Sequence, residues 1–265
     1  MLEPSVLNSA LKYLEAVKAQ GIPVEHGVVF GSQATGHAHF WSDIDILVIS
    51  PHFDGMRDRS GINLLWRLAA RIDSRLEPLQ PVSLELAHTP GLRRHVGQLL
   101  AHYHYRGFHG AVGENVQYLV KDVRGRELAV MVFGAAAWKV AVRDRFIGWS
   151  VAQRQARLGR LANQQRFLIL PWVRVAHLAS HLLALVTQRL SRDWQARYGH
   201  PVWLVETFVE LDRFAGTCYQ AAGWLSLGQT TGRTRQDRQR TLQSPRKSVW
   251  VRPLHPAFRQ HLTAP

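Results

Sequence analysis

The first ninety residues alternate between two apolar periods. Apolar side chains recur at helical spacing over residues 5–19, and short apolar runs at residues 28–30 and 44–49 are typical of strands. A second amphipathic helix is predicted from Ser60, and the proline-interrupted segment 76–86 has the character of an edge strand. The predicted order is therefore helix, strand, turn, strand, helix and strand.

The rest of the chain continues this mixture of helices and strands. Helical patterns cover residues 92–103, 176–198, 216–224 and a segment from residue 257, and strand patterns cover residues 117–120, 128–133, 166–173, 202–209 and 249–254. The whole pattern predicts an α/β (α+β) protein with a small mixed-sheet domain at residues 1–89 and a second domain at residues 90–265. The turn-forming segment 88–91 is the predicted linker between them.

Charge separates the two predicted domains. The chain of 265 residues has a formal net charge of +14, but residues 1–90 contain 7 Lys and Arg against 10 Asp and Glu, whereas residues 91–265 contain 26 against 9. Almost all of the basic residues in the second segment are Arg, which suits bidentate contact with phosphate. We therefore expect the second domain to contact nucleic acid, with DNA as the expected partner, and not a membrane. A merely solvated cationic surface is the alternative.

The segment 229–247 concentrates this positive charge. It combines many charged residues with few apolar ones, so it is predicted to be a mobile Arg-rich loop. Its predicted contacts with the nucleic-acid backbone are Arg233, Arg235, Arg238, Arg240, Arg246 and Lys247.

The composition of the chain also indicates where in the cell the protein is expected. No apolar run approaches the roughly 20 residues of a membrane helix, and the N-terminus is too mixed in charge for a signal peptide. The single cysteine, Cys218, excludes an internal disulfide framework. A cytoplasmic protein is expected.

The stretch FGSQATGHAHFWSDIDILVIS contains the clearest candidates for catalytic and metal-binding residues. Asp43 and Asp45 are two apart, so a strand would place both carboxylates on one face, where a cation between them would relieve their repulsion. Mg²⁺ favours such oxygen ligands together with substrate phosphates, and two such ions would suit phosphoryl transfer. The turn at Gly31 and Ser32 could offer backbone N–H groups and a hydroxyl to those phosphates. A strand with two exposed acids beside a turn is the alternative.

This stretch resembles the minimal nucleotidyltransferases of the polymerase-β superfamily, and the resemblance covers roughly residues 1–89. The matching positions are Gly31, Ser32, Ala34, Gly36, Ser42, Asp43, Ile44 and Asp45. The resemblance implies a small mixed sheet with flanking helices, Mg²⁺ as cofactor, and transfer of a nucleotidyl group from an NTP. It also implies a third acid on the next strand, for which Glu77 is favoured and Glu85 is the alternative.

The second segment resembles the DruA family of the Druantia anti-phage systems. The stretches RDRFIGW, RFLILPWVRV, ETFV and GTCYQAAGW carry this resemblance, which extends over residues 92–262. It implies a setting of phage defence or mobile elements, with nucleic acid and defence-system partners, rather than a mechanism. The order of elements also resembles a GNAT acyltransferase, but PWVRVAHLASH lacks the glycines of an acetyl-CoA pyrophosphate turn, so acetyl-CoA is not expected.

Four residues of the second domain are candidates for chemistry of its own. Arg143 and Asp144 could position a phosphate or form a buried ion pair, and Glu206 lies in a run so apolar that it must be paired or functional. His181 is the fourth candidate. The leading hypothesis is a nucleotidyltransferase acting on a protein or nucleic-acid acceptor. The alternatives are a DNA-binding component with a vestigial transferase domain, or a nuclease or transposase-like second domain.

Overall fold

The computed structural model describes residues 2–38, 44–56, 60–69, 72–230 and 245–264. Its chain divides into two compact units, Met1–Asp73 and Ser74–Pro265. No helix within the described ranges combines the length and the apolar composition needed to cross a bilayer.

The first unit contains a hairpin with helices. Its elements are α1 (Pro4–Lys18), β1 (His26–Phe30), α2 (Ser32–Thr35), β2 (Asp45–Ile49) and α3 (Ser60–Ala69), and β3 (Ile72–Ser74) follows at the division between the units. Strands β1 and β2 pair antiparallel, in a register that places Phe30 opposite Asp45. Helix α1 lies against α3, since the hydroxyl of Tyr13 donates to the carbonyl of Leu65 at 3.1 Å. Helices α1 and α3 and strands β1 and β2 are those that the apolar periods predict, whereas these periods did not indicate α2 or β3.

The second unit is a seven-stranded mixed sheet covered by helices. Its strands are β4 (Ser83–Leu86), β5 (Asn115–Lys121), β6 (Glu127–Ala135), β7 (Leu161–Ile169), β9 (Leu204–Glu210), β10 (Leu225–Gln229) and β11 (Lys247–Pro253), and the short β8 (Val173–Val175) lies outside the sheet. Its helices are α4 (Pro90–Tyr103), α5 (Ala141–Ile147), α6 (Val151–Arg157), α7 (Leu178–Tyr198), α8 (Thr217–Ala221) and α9 (Phe258–Thr263). The sheet order is β10-β11-β9-β7-β6-β5-β4.

This sheet confirms the predicted α/β class and the GNAT-like arrangement of the second domain. All its neighbouring strands are antiparallel except β7 and β9, which pair parallel and are connected through the long helix α7. The parallel pairing covers only three positions, from Leu161 opposite Leu204 to Asn163 opposite Glu206. Beyond that point both strands continue without pairing to each other.

The edge strand of the sheet comes from the region before the predicted linker. Strand β4 pairs antiparallel with β5, with Leu84 opposite Val120, so it belongs to the second unit. The sequence pattern indicated an edge strand here correctly but assigned it to the N-terminal domain. Leu79 is fully buried and its carbonyl accepts from the N–H of Val123, so the second unit begins before the strand itself.

The core of the second unit includes the central strands and α7, and a further buried cluster joins Ile147 of α5 and Leu161 of β7 to Phe258 and Leu262 of α9. Strands β5 and β6 are buried along almost their whole length, as expected for strands covered on both faces. Helix α7 contributes an apolar stripe of Leu178, Leu182, Leu183, Val186, Leu190 and Trp194. This stripe fixes the helix that joins the two parallel strands.

Four α-helices and strands of the second unit were not predicted. These are α5, α6, β8 and β10. Helix α6 begins with a capping box, in which Ser150 accepts from the N–H of Gln153 and the Gln153 side chain accepts from the N–H of Ser150. Strand β10 ends at Gln229 and β11 begins at Lys247, so strands occupy both ends of the predicted Arg-rich loop.

Candidate functional site

The hairpin of the first unit brings Gly31 against Asp45. Because β1 ends at Phe30 and Phe30 lies opposite Asp45, the turn that follows β1 meets the start of β2. Gly31 adopts φ 71° and ψ −151°, a backbone conformation that is essentially restricted to glycine. A Cβ atom at this position would collide with the carboxylate of Asp45. Both the conformation and the close approach therefore require glycine.

The short helix α2 begins directly after this glycine. Its Thr35 hydroxyl donates to the carbonyl of Gly31 at 3.1 Å, and the N–H of Ala34 donates to the same oxygen at 3.2 Å. These bonds hold the Gly31–Ser32 peptide in place beside an exposed carboxylate. A rigid backbone turn next to a solvent-facing acid is an arrangement that can receive phosphates together with a cation.

The other acids predicted to join Asp45 in the site are Asp43, Glu77 and Glu85. Asp43 lies outside the described residues. Glu77 is exposed in a helical turn at Glu77–Leu79, and Glu85 is exposed on β4, where its carboxylate accepts from Lys121 Nζ at 2.6 Å. Both belong to the second unit, so the third acid stays a prediction. In the described part of the chain, no three His, Cys, Asp or Glu side chains form a group that could hold a metal ion.

The candidates of the second domain form a buried ion-pair network. The side chains of Arg143 and Glu206 are 0% exposed, and Arg143 Nη1 donates to Glu206 Oε2 at 2.9 Å. The other oxygen of Glu206 accepts from the N–H of Ala137 at 2.8 Å. Asp144 Oδ1 accepts from Arg143 Nη2 at 2.8 Å and from the indole N–H of Trp149 at 3.1 Å. Of the two predicted roles for Arg143 and Asp144, the buried ion pair is the one observed.

This network occupies the hydrogen-bonding atoms that a nuclease-like site would need. Burial raises the pKa of Glu206, and the charge of Arg143 opposes that shift. His181 is half-buried in the first turn of α7, where its N–H donates to the carbonyl of His177. We assign Arg143, Asp144 and Glu206 to the support of the fold rather than to a substrate cleft.

Comparison with known families identifies both parts of the chain. A family described as a nucleotidyltransferase domain matches residues 11–83. A family described as Druantia protein DruA matches residues 85–260, which is more than half of the chain. The chain belongs to the DruA family. A search of curated protein sequences finds no match for this DruA-family protein.

Solved structures similar to this DruA-family protein are acetyltransferases. The spermidine/spermine N-acetyltransferase SpeG from Vibrio cholerae in complex with manganese ions is 10% identical, covers 65% of this chain and 92% of its own, and has a TM-score of 0.41. A complex of the spermidine N-acetyltransferase from Vibrio cholerae with CoA and spermine is 10% identical, covers 64% and 92%, and also scores 0.41. Similarity at this level transfers no activity to the chain.

The predicted nucleic-acid contacts are partly described. Arg246 is exposed immediately before β11, and Lys247 Nζ lies 3.8 Å from the carboxylate of Glu210. The other four lie outside the described residues: Arg233, Arg235, Arg238 and Arg240. Contact of this surface with DNA stays a prediction.

The sequence analysis did not single out His104, whose surroundings in the structure lower its pKa strongly. Burial, followed by the charges of Arg166 and Arg106, lowers its pKa from 6.5 to about 4. Its Nδ1 accepts from the N–H of Arg106 at 3.2 Å, which requires that nitrogen to be unprotonated. Only the meeting of the residues after α4 with β7 produces this environment, so no local pattern could have shown it.

This shift predicts a pH-dependent stability. Between pH 6.5 and about 4 the unfolded chain binds a proton at His104 that the folded chain does not, so the free energy of unfolding should fall as the pH is lowered. We expect a loss on the order of 1 kcal/mol, because the ring is half-exposed and solvent screens part of the interaction. Urea unfolding at pH 7 and pH 4.5 measures it. His104→Asn keeps an acceptor for Arg106 and should lose less stability on acidification; equal losses in both proteins would contradict the assignment.

Proposed function

We propose that this DruA-family protein is an Mg²⁺-dependent nucleotidyltransferase that acts in phage defence or on mobile elements. Its first domain would transfer a nucleotidyl group from an NTP to a protein hydroxyl or a nucleic-acid end, and its second, basic domain would engage nucleic acid. In the reaction, an acceptor oxygen bonds to the α-phosphorus, the bond to the β-phosphate bridge breaks, and pyrophosphate leaves while the hydroxyl proton is released. The NTP substrate and the single thiol of Cys218 support a cytoplasmic setting.

The contact between Gly31 and Asp45 is the observation that supports this proposal most directly. It joins the two halves of the nucleotidyltransferase motif, the Gly-Ser turn and the second acid of D-x-D, in one place. Backbone at Gly31 and Ser32 would bind the NTP phosphates and orient the α-phosphorus. An ordinary surface turn does not need its backbone this close to a carboxylate, so the contact favours a binding role for the turn.

The same residues fit a divalent cation. Asp45 presents an exposed carboxylate at the turn, and Asp43 is the proposed second ligand. When bound, Mg²⁺ would neutralise charge on the triphosphate. Glu77, or Glu85 as the alternative, is the proposed third acid, and it would accept the proton of the acceptor hydroxyl.

Transfer of a radioactive label tests the proposed activity. Incubation with α-³²P-labelled NTPs, Mg²⁺ and either DNA ends or protein acceptors should label one acceptor class. Asp45→Asn should lower the labelling rate by about 100-fold or more, since the variant removes the charge that faces the phosphates. Asp54→Asn is the matched control, because Asp54 is an exposed acid of the same unit outside the hairpin. Undiminished labelling by the Asp45 variant would refute the proposal.

A second candidate function is DNA binding without nucleotidyl transfer. The excess of Arg after residue 90 favours it, since phosphate neutralisation by Arg gives salt-dependent affinity. Under this alternative, DNA affinity falls steeply with salt, is the same in wild type and Asp45→Asn, and no NTP labels any acceptor.

A further inference from the structure

The parallel strands of the second unit open a cavity where they part. After Asn163 and Glu206, β7 and β9 no longer pair, and the space between them forms a cavity of about 620 Å³. This volume lies in the range of roughly 300–1,000 Å³ that is typical of ligand sites. Its aromatic walls are formed by Tyr103, Tyr105, Phe167, Phe208, Phe214 and Tyr219.

One polar side chain in this cavity lacks a partner. Gln164 lines the cavity and is 4% exposed, yet neither its amide nitrogen nor its amide oxygen has a hydrogen-bond partner. Its backbone carbonyl accepts from the hydroxyl of Thr207 at 3.1 Å, so the residue is held in place while its side-chain amide is not paired. Leaving both atoms of a buried amide unpaired destabilises the fold, so the presence of this side chain points to a ligand that offers both a donor and an acceptor.

A bulge in β7 helps to set this side chain. The register with β6 shifts next to Gln164, which lies opposite Phe133, whereas Arg166 lies opposite Val132. The extra residue, Gln165, packs its amide against Gly134, where a side chain would collide with it. Bulges re-aim side chains and are common beside binding sites.

The rim of the cavity is aromatic and basic. Phe214 is 48% exposed and its ring centroid lies 5.5 Å from that of Tyr105, which is also exposed. The guanidinium of Arg213 lies 4.6 Å above the Tyr105 ring. Exposed aromatic faces beside an Arg provide stacking surfaces for a planar ligand.

Positive charge accumulates near this rim. Glu210 pairs with Arg106 at 3.2 Å and with Lys247 at 3.8 Å. Burial and the charge of Arg106 lower the pKa of Lys247, and Arg166 acts in the same direction. Arg166 itself donates to the carbonyls of Gly107 and Gln165. These three cations and one carboxylate leave an excess that an anionic group such as phosphate would neutralise.

We propose that this cavity binds a single nucleobase, stacked on the aromatic rim and paired through its edge to Gln164, with its phosphate at Arg106 and Arg213. A base offers adjacent donors and acceptors to a Gln amide and a flat face to Tyr105 and Phe214. The base could belong to a free nucleotide or to an unstacked position of a DNA strand. An acyl chain would leave Gln164 unpaired, and a polyamine would be repelled by the basic rim.

This inference goes beyond the proposed nucleotidyl transfer and rests on the second unit alone. It is therefore tested without Mg²⁺ and in the Asp45→Asn background, so that failure of transfer does not affect the result. The probes are 2-aminopurine deoxyriboside monophosphate and short single-stranded DNA with one 2-aminopurine, because stacking on aromatic rings quenches this base.

The expected result is quenching of at least one probe and loss of affinity in rim variants. Phe214→Ala should weaken binding by about tenfold or more, as base–aromatic contacts generally do. Arg213→Ala should weaken it as well, whereas Arg124→Ala, the same change of charge in an exposed turn, should not. Binding of the monophosphate alone identifies a nucleotide site, and binding of the strand alone identifies a flipped or terminal base; both support the proposal.

Gln164→Leu separates ligand pairing from folding. Since the amide has no partner in the protein, its replacement should leave the melting temperature equal or higher while base affinity falls by about fivefold or more. The proposal is overturned if no probe is quenched, if Gln164→Leu and Phe214→Ala bind as wild type, or if Arg124→Ala loses as much as Arg213→Ala.

Discussion

Replacing Glu206 with alanine is expected to lower the free energy of unfolding by about 3–5 kcal/mol, the range for breaking a buried ion pair. The substitution leaves the guanidinium of Arg143 in an interior where both side chains are 0% exposed. The Ala137 N–H then loses its buried acceptor. Arg143 loses the carboxylate of Glu206 and keeps the carbonyl of Ala137 and the carboxylate of Asp144 as hydrogen-bond partners. Chemical unfolding followed by circular dichroism measures the difference.

A control on the same strand separates burial from charge. Glu210→Ala also deletes a paired carboxylate, but its pairs with Arg106 and Lys247 are partly exposed, so a cost of about 1 kcal/mol or less is expected. The double variant Arg143→Met with Glu206→Leu should recover much of the lost stability, because no charge is then stranded. A single Glu206→Ala variant as stable as Glu210→Ala would contradict the structural role of the network.

Replacing Gly31 with alanine is expected to reduce nucleotidyl transfer by about 100-fold or more. Alanine at φ 71° and ψ −151° is strained by about 1–3 kcal/mol, and its Cβ would displace the carboxylate of Asp45. A displacement of about 1 Å at a reacting centre is enough for a loss of this size. The measurement is the initial rate of labelling from α-³²P-NTP at saturating Mg²⁺.

Gly55→Ala is the matched control for that substitution. Gly55 has a similar φ of 72° in the same unit, but nothing lies within 4 Å of the position that a Cβ atom would occupy, so the variant adds backbone strain without touching Asp45. We expect a modest loss of stability and nearly unchanged labelling. Equal losses of activity in both variants would mean that strain, and not the contact with Asp45, explains the effect.

Local periodicity was sufficient for most of the fold. Helix α1 was predicted within one residue at each end, and β2 was predicted from an apolar run with an acid at its start. The long helix α7 was predicted because its apolar stripe continues for about five turns, from Leu178 to Trp194. The α5 and α6 helices were missed because each has only seven residues, too few for an apolar period to be distinguished.

The candidate sites could be predicted from the sequence where their residues are close together along the chain, and not where they are far apart. The Gly-Ser turn and D-x-D are contiguous, so sequence alone indicated them, and the structure added the contact that requires glycine at position 31. Glu206 was recognised as needing a partner, but nothing in the sequence indicated that this partner is Arg143, 63 positions away. The cavity at Gln164 depends on where two strands cease to pair, which no local pattern records.

The placement of β4 determines where the second domain can be separated from the residues before it. A fragment that began at residue 90 would lack the four edge residues Ser83–Leu86 and would leave β5, a long and almost wholly buried apolar strand, open along one side. Open strands of this kind join to other chains. We therefore expect the DruA domain to stay free of aggregation only when the segment from Leu79 onward is kept with it. A fusion of this domain to a different N-terminal domain should accordingly be joined before Leu79.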